Sequence, residues 1–398
     1  MNISSKFIFL KNLNFLLIVF AALAAFGGLG EHLKGAKFFD GREYTHYNNY
    51  LIFKYAFFHL IENKDLYIAY PDIVWDLFKY SPTFALLMGP LAFLPDVPGL
   101  ICWNLINALA IYFGIKYLPI KSDETKVFIL WFVALELLIS IQNSQSNGLI
   151  AGLIILAFCS FERRSVFLAA FCILLSFYVK LFGVAAIILF LLYSNKIKFI
   201  GASAVWGILL GFLPLLVISA DQLIYLYKSW LNLLSNDHSA SYGLSLMGIL
   251  QSWFQLTPPK MIVLLGGAIL LLIPFARYAC FEQPRYRYLL LASLLIWMII
   301  FNHKAESPTF IIAMSGIAIW YFTGKKSKID LILLIGAFIL TTLSHTDLFP
   351  RFLKHAFVSP YKLKALPAVI IWFKIQYELL TFKEVLNVGA DATKAPGH

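Results

Sequence analysis

Apolar stretches of about 15 to 20 residues follow one another along almost the whole chain, and this feature limits its fold most. Apolar residues make up 60% of the 398 residues, whereas charged residues make up only 13%. Backbone amides in lipid must be hydrogen-bonded within the protein, so the alternatives are membrane-spanning helices and a closed barrel. The stretches are continuous and do not alternate with polar residues, which favours helices. We therefore predict an all-α polytopic membrane protein.

The apolar stretches predict about twelve spans within a single membrane domain, residues 1–383. The predicted spans are 12–30, 98–117, 126–142, 146–161, 165–179, 181–194, 199–219, 260–276, 287–302, 308–323, 330–345 and 364–382. Within the first outer loop, 31–97, an aromatic-rich helix over 49–62 is expected to lie in the interface plane. The segment 81–95 is short and interrupted by prolines, so a re-entrant or interfacial helix is expected there.

Lysine and arginine are concentrated in short turns between alternate spans, such as ERR (162–164), NKIK (195–198) and GKKSK (324–328). Such turns face the cytoplasm, which places the N-terminus and the tail 384–398 on that side. The same turns, with their contacts to membrane lipids, account for the net charge of +11 better than nucleic-acid binding does. We therefore predict a multi-pass protein of the inner (plasma) membrane whose active site faces the periplasm or exterior.

Polar residues collect in the connections on the other side of the predicted membrane. These connections are the first outer loop, QNSQSNG (142–148), the break at Lys180, NDHSASYG (236–243) and NHKAESP (302–308). In the first outer loop, Asp40 and Glu43 are candidates to take a proton from a sugar hydroxyl, since a carboxylate above a membrane can act as a general base. The alternative is that both are solvated loop acids.

Lysine is costly in an apolar setting unless it has a partner or its ammonium group reaches water. Lys180 is such a residue, and it could neutralise a lipid-linked phosphate. In NHKAESP, His303 and Lys304 could bind the same phosphate while Glu306 fixes their geometry, although a self-satisfied helix cap is the alternative. In QNSQSNG, the amides of residues such as Gln142 and Asn147 suit sugar hydroxyls.

Motifs for metal, nucleotide or hydrolase chemistry are absent from the sequence. It contains no H-E-x-x-H or paired-cysteine metal spacing, no P-loop, no dinucleotide fingerprint and no G-x-S-x-G elbow. The widely spaced cysteines lie in or beside apolar stretches, where a thiol is an ordinary core group. No cofactor is therefore predicted, although a divalent metal stays open.

Several motifs occur in an order that resembles a known family. They are FKYSPTFALLMGPLAFLP, QNSQSNGLIAGL, VKLFGVAAIILF and NHKAESPTF, and together they cover most of the chain from about residue 40 to residue 325. This order resembles the polyprenol-phosphate-dependent glycosyltransferases of family 87, which are mannosyltransferase-like members of the GT-C superfamily. The resemblance implies a GT-C-type helical bundle with the re-entrant segment and the outer helix described above.

The resemblance also implies an inverting transfer at the outer membrane face. Mannose, or a related hexose or pentose, would pass from a polyprenyl-phosphate donor to a glycolipid or glycan acceptor. By spacing, Asn49 stands where the family has an aspartate, so the role of the base passes to Glu43 or Asp40. Lys180, Lys304 and His303 would bind the donor phosphate. The residues expected to contact sugar or acceptor are Asn49, Gln142, Asn147, His238, Lys79, Tyr80 and Glu306.

A lipid-linked sugar flippase or transporter is the main alternative. Transporters usually place their polar groups near the bilayer midplane, within repeated halves that contain broken helices. Here polarity is concentrated at one face, no repeat is evident, and Glu136 is the acid deep within an apolar stretch. This pattern favours the transferase.

Overall fold

The computed structural model describes residues 8–236 and 241–383, and nearly all of their regular structure is helical. The α-helices are α1 (Leu13–Leu33), α2 (Asn48–Ile61), α3 (Pro82–Leu87), α4 (Gly89–Ala92), α5 (Asp96–Lys116), α6 (Asp123–Gln142), α7 (Asn147–Glu162), α8 (Val166–Val179), α9 (Lys196–Phe212), α10 (Ala220–Asn236), α11 (Leu246–Phe254), α12 (Lys260–Leu272), α13 (Pro284–Ile300), α14 (Phe310–Phe322), α15 (Lys328–Ala337), α16 (Arg351–Leu353) and α17 (Leu366–Leu380). The longest 3₁₀ segment is Leu181–Leu192, directly after α8. The tail 384–398 and His238 lie outside the described residues.

A helix is present at every predicted span. By length and composition, four helical segments could cross a membrane: Leu13–Leu33, Asp96–Lys116, Lys196–Leu216 and Lys328–His345. Shorter apolar helices occur at Asn147–Glu162, Val166–Val179, Leu181–Leu192, Lys260–Ala276 and Ser307–Phe322. These helices support a multi-pass membrane protein.

Glycines bring neighbouring helices of the bundle into close contact. A Cβ atom added to Gly152 of α7 would lie 2.3 Å from the carbonyl carbon of Ala110 in α5. One added to Gly316 of α14 would lie 2.7 Å from the carbonyl oxygen of Ala292 in α13. Small residues at such crossings let helix backbones approach closely, which is how helices in lipid gain packing energy.

The segment 81–95 forms two short helices, α3 of six residues and α4 of four residues, which are too short to cross a membrane. Pro82 lies in the first turn of α3, where proline is tolerated, and the Ser81 side chain caps that helix by accepting a hydrogen bond from the Phe84 amide. Both helices pack against α2. The broken helical conformation expected from the prolines is therefore present.

Helix α2 begins and ends within one residue of the predicted bounds, and its position in the interface plane stays a prediction. Most of its side chains are buried, including Lys54, which donates hydrogen bonds to Asp96 Oδ1 at 2.7 Å and to the Leu94 carbonyl at 2.8 Å. The physical reason is that its aromatic and aliphatic side chains surround the helix. A helix that is apolar all round is stabilised by burial.

A β-hairpin in the first outer loop departs from the all-α prediction. Strands β1 (Ala36–Phe39) and β2 (Arg42–Thr45) pair antiparallel, and the turn between them is Asp40-Gly41. Both turn residues have positive φ, 49° and 73°, as a two-residue type I′ turn requires. The Asp-Gly pair was the available sequence signal for this hairpin.

The basic turns meet at one end of the bundle. Arg287 of α13 forms an ion pair with Glu162 at the end of α7, with Nε and Oε1 2.6 Å apart. Near them, Arg163 contacts the Tyr117 carbonyl at 3.4 Å. Because α7 runs from this end to the turn 142–148, the predicted polar turns collect at the opposite end. The bundle therefore has one basic end and one polar end.

Candidate active site

A hydrogen-bonded relay joins three distant parts of the chain at the polar end. Lys180 Nζ donates to Asn147 Oδ1 at 2.7 Å, and Asn147 Nδ2 donates to Gln145 Oε1 at 2.7 Å. Gln145 Nε2 in turn donates to Glu306 Oε2 at 2.9 Å. We call these four residues, together with Tyr80, the polar cluster. The structure thus brings together four of the predicted site residues: Tyr80, Asn147, Lys180 and Glu306.

The turn between α6 and α7 positions the two amides of the relay. It reverses the chain through Ser144, whose φ is +52°, and Trp103 Nε1 donates to the Ser144 carbonyl at 2.9 Å. Asn147 also donates to the Pro308 carbonyl at 3.0 Å, which ties the turn to the end of the loop 302–308. Asn49 of α2 donates to the Asn143 carbonyl at 2.9 Å. Asn49 therefore supports the turn through its amide.

Lys180 lies in the extended connection between α8 and the 3₁₀ segment Leu181–Leu192. The side chain is half-buried, and Nζ lies 5.3 Å from the centre of the Phe182 ring. Burial lowers the pKa of Lys180 to about 8, and the nearby carboxylate of Glu306 opposes that shift. Lys180 is therefore mostly protonated at neutral pH and loses its charge as the pH rises through 8.

Tyr80 brings a phenol to the cluster, beside Glu306 and the hydroxyl of Ser146. Its ring packs edge-on against Phe53 of α2, with the ring centres 4.9 Å apart. Burial raises the pKa of Tyr80, and the carboxylates of Glu306 and Asp76 raise it further. The phenol therefore stays protonated and can donate a hydrogen bond.

Several buried hydroxyl groups near the relay have unused hydrogen-bonding capacity. Within the described residues, the hydroxyl groups of Ser144 and Ser307 have no hydrogen-bond partner, whereas the Ser146 hydroxyl lies beside the Tyr80 phenol. Buried polar groups normally bond to protein or to ordered water, so these hydroxyls can accept a polar ligand. Sequence reasoning missed Ser146 and Ser307. Their positions beside Asn147 and Glu306 were the only signal.

The backbone at Gly243 packs closely against the loop 302–308. A Cβ atom added there would lie 2.6 Å from the His303 carbonyl oxygen, and the φ of Gly243 is +56°. Next to it, the Leu244 amide donates to the Ala305 carbonyl at 2.8 Å. His303 is half-buried and Lys304 is exposed, in the same loop as Glu306. Both predicted phosphate ligands therefore lie in the loop that carries the carboxylate of the polar cluster.

The two candidate bases lie on opposite sides of the hairpin. Cross-strand register pairs Phe38 with Glu43, and both side chains are exposed. The other face, with Tyr44, packs on the loop 70–77, where the Tyr44 hydroxyl donates to the Pro71 carbonyl at 2.7 Å. Asp40 lines a cavity on that second face.

The remaining predicted residues are more scattered. Lys79 forms an exposed ion pair with Asp76 at 3.1 Å, and its carbonyl accepts a hydrogen bond from Trp230 of α10 at 3.2 Å. Gln142 is the half-buried last residue of α6. The predicted role of His238 stays a prediction, because this residue lies outside the described part of the chain. Within residues 8–236 and 241–383, no group of three or more His, Cys, Asp or Glu side chains could hold a metal.

A bundle of apolar helices with a polar cluster at one end defines a multi-pass membrane protein with a candidate active site at that end. The family model for glycosyltransferase family 87 matches residues 78–301, which is more than half of the chain. The chain therefore belongs to glycosyltransferase family 87, and this membership implies an enzyme that transfers a sugar from a donor to an acceptor. The matched region contains Tyr80, the turn 142–148 and Lys180. No curated protein matches the chain.

Proposed function

We propose that this protein transfers mannose, or a related hexose or pentose, from a polyprenyl-phosphate donor to a glycolipid or glycan acceptor with inversion. The reaction would occur at the outer face of the inner membrane. The position of Lys180 supports this proposal most strongly. Its ammonium group bonds to a neutral amide, Asn147, so its positive charge is available to an anionic ligand at the bundle end.

The donor phosphate would bind Lys180, with Lys304 and His303 at the edge of the same site. A polyprenyl chain can remain in lipid only if its phosphate stays near the membrane surface, which is where a residue between two apolar helices would meet it. The amides of Gln142 and Asn147 would bind sugar hydroxyls. Residues that would contact sugar or acceptor around them are Asn49, Lys79, Tyr80, His238 and Glu306.

The acceptor hydroxyl would be activated by Asp40 or Glu43, and the hairpin geometry favours Asp40 because it lines a cavity. The carboxylate takes the hydroxyl proton, and the acceptor oxygen forms a bond to the anomeric carbon from the face opposite the phosphate. The bond between the anomeric carbon and the phosphate oxygen breaks as this new bond forms, and its electron pair stays on the phosphate. Polyprenyl phosphate leaves with one additional negative charge, which Lys180 stabilises.

A lipid-linked sugar flippase or transporter is the alternative function. It would need an accessible polar site inside the bundle. The deep acid Glu136 bonds instead to Lys364 at 2.9 Å, and neither side chain is exposed to solvent. This sealed pair favours the transferase.

The test measures sugar transfer from polyprenyl-phosphate mannose by the purified protein in lipid vesicles, together with donor affinity. We expect Asp40→Asn to lower kcat by at least about 100-fold, as removal of a general base does, with donor affinity unchanged. Glu43→Gln is the matched control, since it removes a carboxylate from the other face of the same hairpin. Wild-type rates in both variants would contradict the assignment of the base, and donor translocation without transfer would support the transporter.

A further inference from the structure

A small cavity lies between the hairpin and the loop that precedes Tyr80. Its volume is about 150 Å³, well below the roughly 300–1,000 Å³ of sites for drug-sized ligands. Its walls include four aromatic residues and two acidic residues, and we call it the hairpin cavity. These six residues are Phe39, Tyr44, Tyr70, Trp75, Asp40 and Asp76.

The aromatic walls are held rigidly. The Tyr44 ring meets the Trp75 ring edge-on with their centres 5.4 Å apart, and Lys37 Nζ lies 4.3 Å from the centre of the indole ring. On the opposite side, the Tyr70 ring stacks on His59 at 3.8 Å, and its hydroxyl donates to the Asp65 carbonyl at 2.7 Å. A ligand would therefore enter a preformed site, which limits the entropy lost on binding.

The chemistry of the walls selects a neutral ligand rich in hydroxyl groups. The two acids are accompanied by two lysines, Lys37 over the Trp75 ring and Lys79 paired with Asp76, so the local charges balance and favour a neutral ligand over an ion. Carboxylate oxygens are strong acceptors for hydroxyl donors, and aromatic walls cover the apolar faces of a ring. Asp76 keeps one side fixed, because its Oδ1 accepts a hydrogen bond from the Leu77 amide at 2.7 Å. Such a combination suits one sugar ring.

A short stretch of chain connects the hairpin cavity to the polar cluster. Asp76 lines the cavity and pairs with Lys79 at 3.1 Å, and the next residue, Tyr80, belongs to the polar cluster. The segment 76–80 therefore links the cavity to the proposed donor site.

We propose that the hairpin cavity is the subsite for a single neutral sugar ring of the acceptor. This inference rests on the proposed function, and it assigns acceptor recognition to Asp76, Trp75 and Tyr70. Asp40 at the mouth of the cavity would then face the acceptor hydroxyl.

The direct test is ligand binding to the full-length protein labelled with 5-fluorotryptophan, followed by fluorine NMR. The Trp75 resonance is assigned as the one missing from Trp75→Phe. Methyl α-mannoside and methyl α-glucoside are the probes, titrated to about 100 mM because single sugars bind weakly. We expect at least one glycoside to shift the Trp75 resonance, and inorganic phosphate to leave it unchanged. No shift with either glycoside would overturn the subsite.

The second readout is acceptor kinetics in Asp76→Asn. We expect the acceptor KM to rise at least about tenfold, the cost of one charged hydrogen bond, with the donor KM unchanged. Asp72→Asn is the matched control, since Asp72 lies in the same loop and pairs with Arg42 at 2.9 Å. An unchanged acceptor KM in Asp76→Asn would overturn the subsite even where transfer proceeds. A glycoside-induced shift in a protein that transfers no polyprenyl-phosphate sugar would instead leave the subsite standing and overturn the proposed function.

Discussion

Lys364 and Lys180 are both withdrawn from water, and they are partnered in different ways. Lys364 is completely buried and meets its carboxylate directly, with Nζ 2.9 Å from Glu136 Oε1 and 2.7 Å from the Thr341 carbonyl. Lys180 is half-buried and meets only an amide, Asn147, while its nearest carboxylate in the relay is two amides away.

The difference separates a structural charge from a charge available for chemistry. A lysine that is paired directly inside a sealed bundle has its charge neutralised, and its partner offsets part of the cost of desolvation. A lysine held by a neutral amide keeps its charge, so it gains most when an anion arrives. The same residue type therefore stabilises the fold at one site and is suited to phosphate binding at the other.

The largest effect is expected at the sealed pair. Lys364→Met leaves the Glu136 carboxylate buried without its cation, and removing one partner of a buried pair costs about 3–5 kcal/mol. We expect the free energy of unfolding in detergent to fall by that amount.

The double variant Glu136→Leu with Lys364→Met is the control for this pair. Replacing both charges by apolar groups of similar volume should recover most of the lost stability. If the double variant is as unstable as the single one, packing around Lys364, and not its charge, stabilises this region.

A smaller effect, on the rate of sugar transfer and not on stability, is expected at Lys180. Lys180→Met should reduce the rate of sugar transfer by about 10²–10³-fold, the loss typical of one group that stabilises a developing anion. The free energy of unfolding should change little, because Lys180 has no directly paired carboxylate to strand. A large loss of stability with normal transfer would reverse the roles assigned to the two lysines.

The smallest effect is expected when Lys180 is given a direct carboxylate partner, as Lys364 has. Asn147→Asp places a carboxylate directly on Lys180, so we expect the donor kcat/KM at pH 7 to fall about tenfold as the charge is neutralised. In the wild type, kcat/KM should fall as the pH rises through about 8, where Lys180 loses its proton. The new carboxylate raises the pKa of Lys180, so the alkaline limb should move to higher pH. If the alkaline limb of the pH profile stays at the same pH in Asn147→Asp, a group other than Lys180 is responsible for it.

Much of the fold was predictable because apolar stretches long enough for a membrane leave few alternatives. The polar connections also drew attention to Asn147, Lys180 and Glu306, which the structure brings together, since polar groups next to lipid need partners or a function. The links between them were not predictable. Gln145 bonds to Glu306, 161 positions away in the chain, and the partner of Glu136 lies 228 positions away. Such pairings depend on how helices pack, which local periodicity does not encode.

Helix α2 and the hairpin also show that the sequence predicted elements of structure better than their surroundings. The aromatic content of α2 correctly indicated a helix, but it did not reveal that α3 and α4 cover it. The two candidate acids were only three residues apart in sequence, and the strand register then separated them. Which face of a strand meets the protein is decided by the partner it packs on, here the loop 70–77.

The two-residue turn Asp40-Gly41 therefore controls more than the shape of the hairpin. Side chains alternate along a strand, so one residue inserted before Arg42 would rotate β2 by half a turn relative to its surroundings. Glu43 would then point inward and Tyr44 outward, exchanging an aromatic wall for an acid. In a protein built this way, a change of length in one turn could alter which acceptor is chosen while the donor site stays untouched.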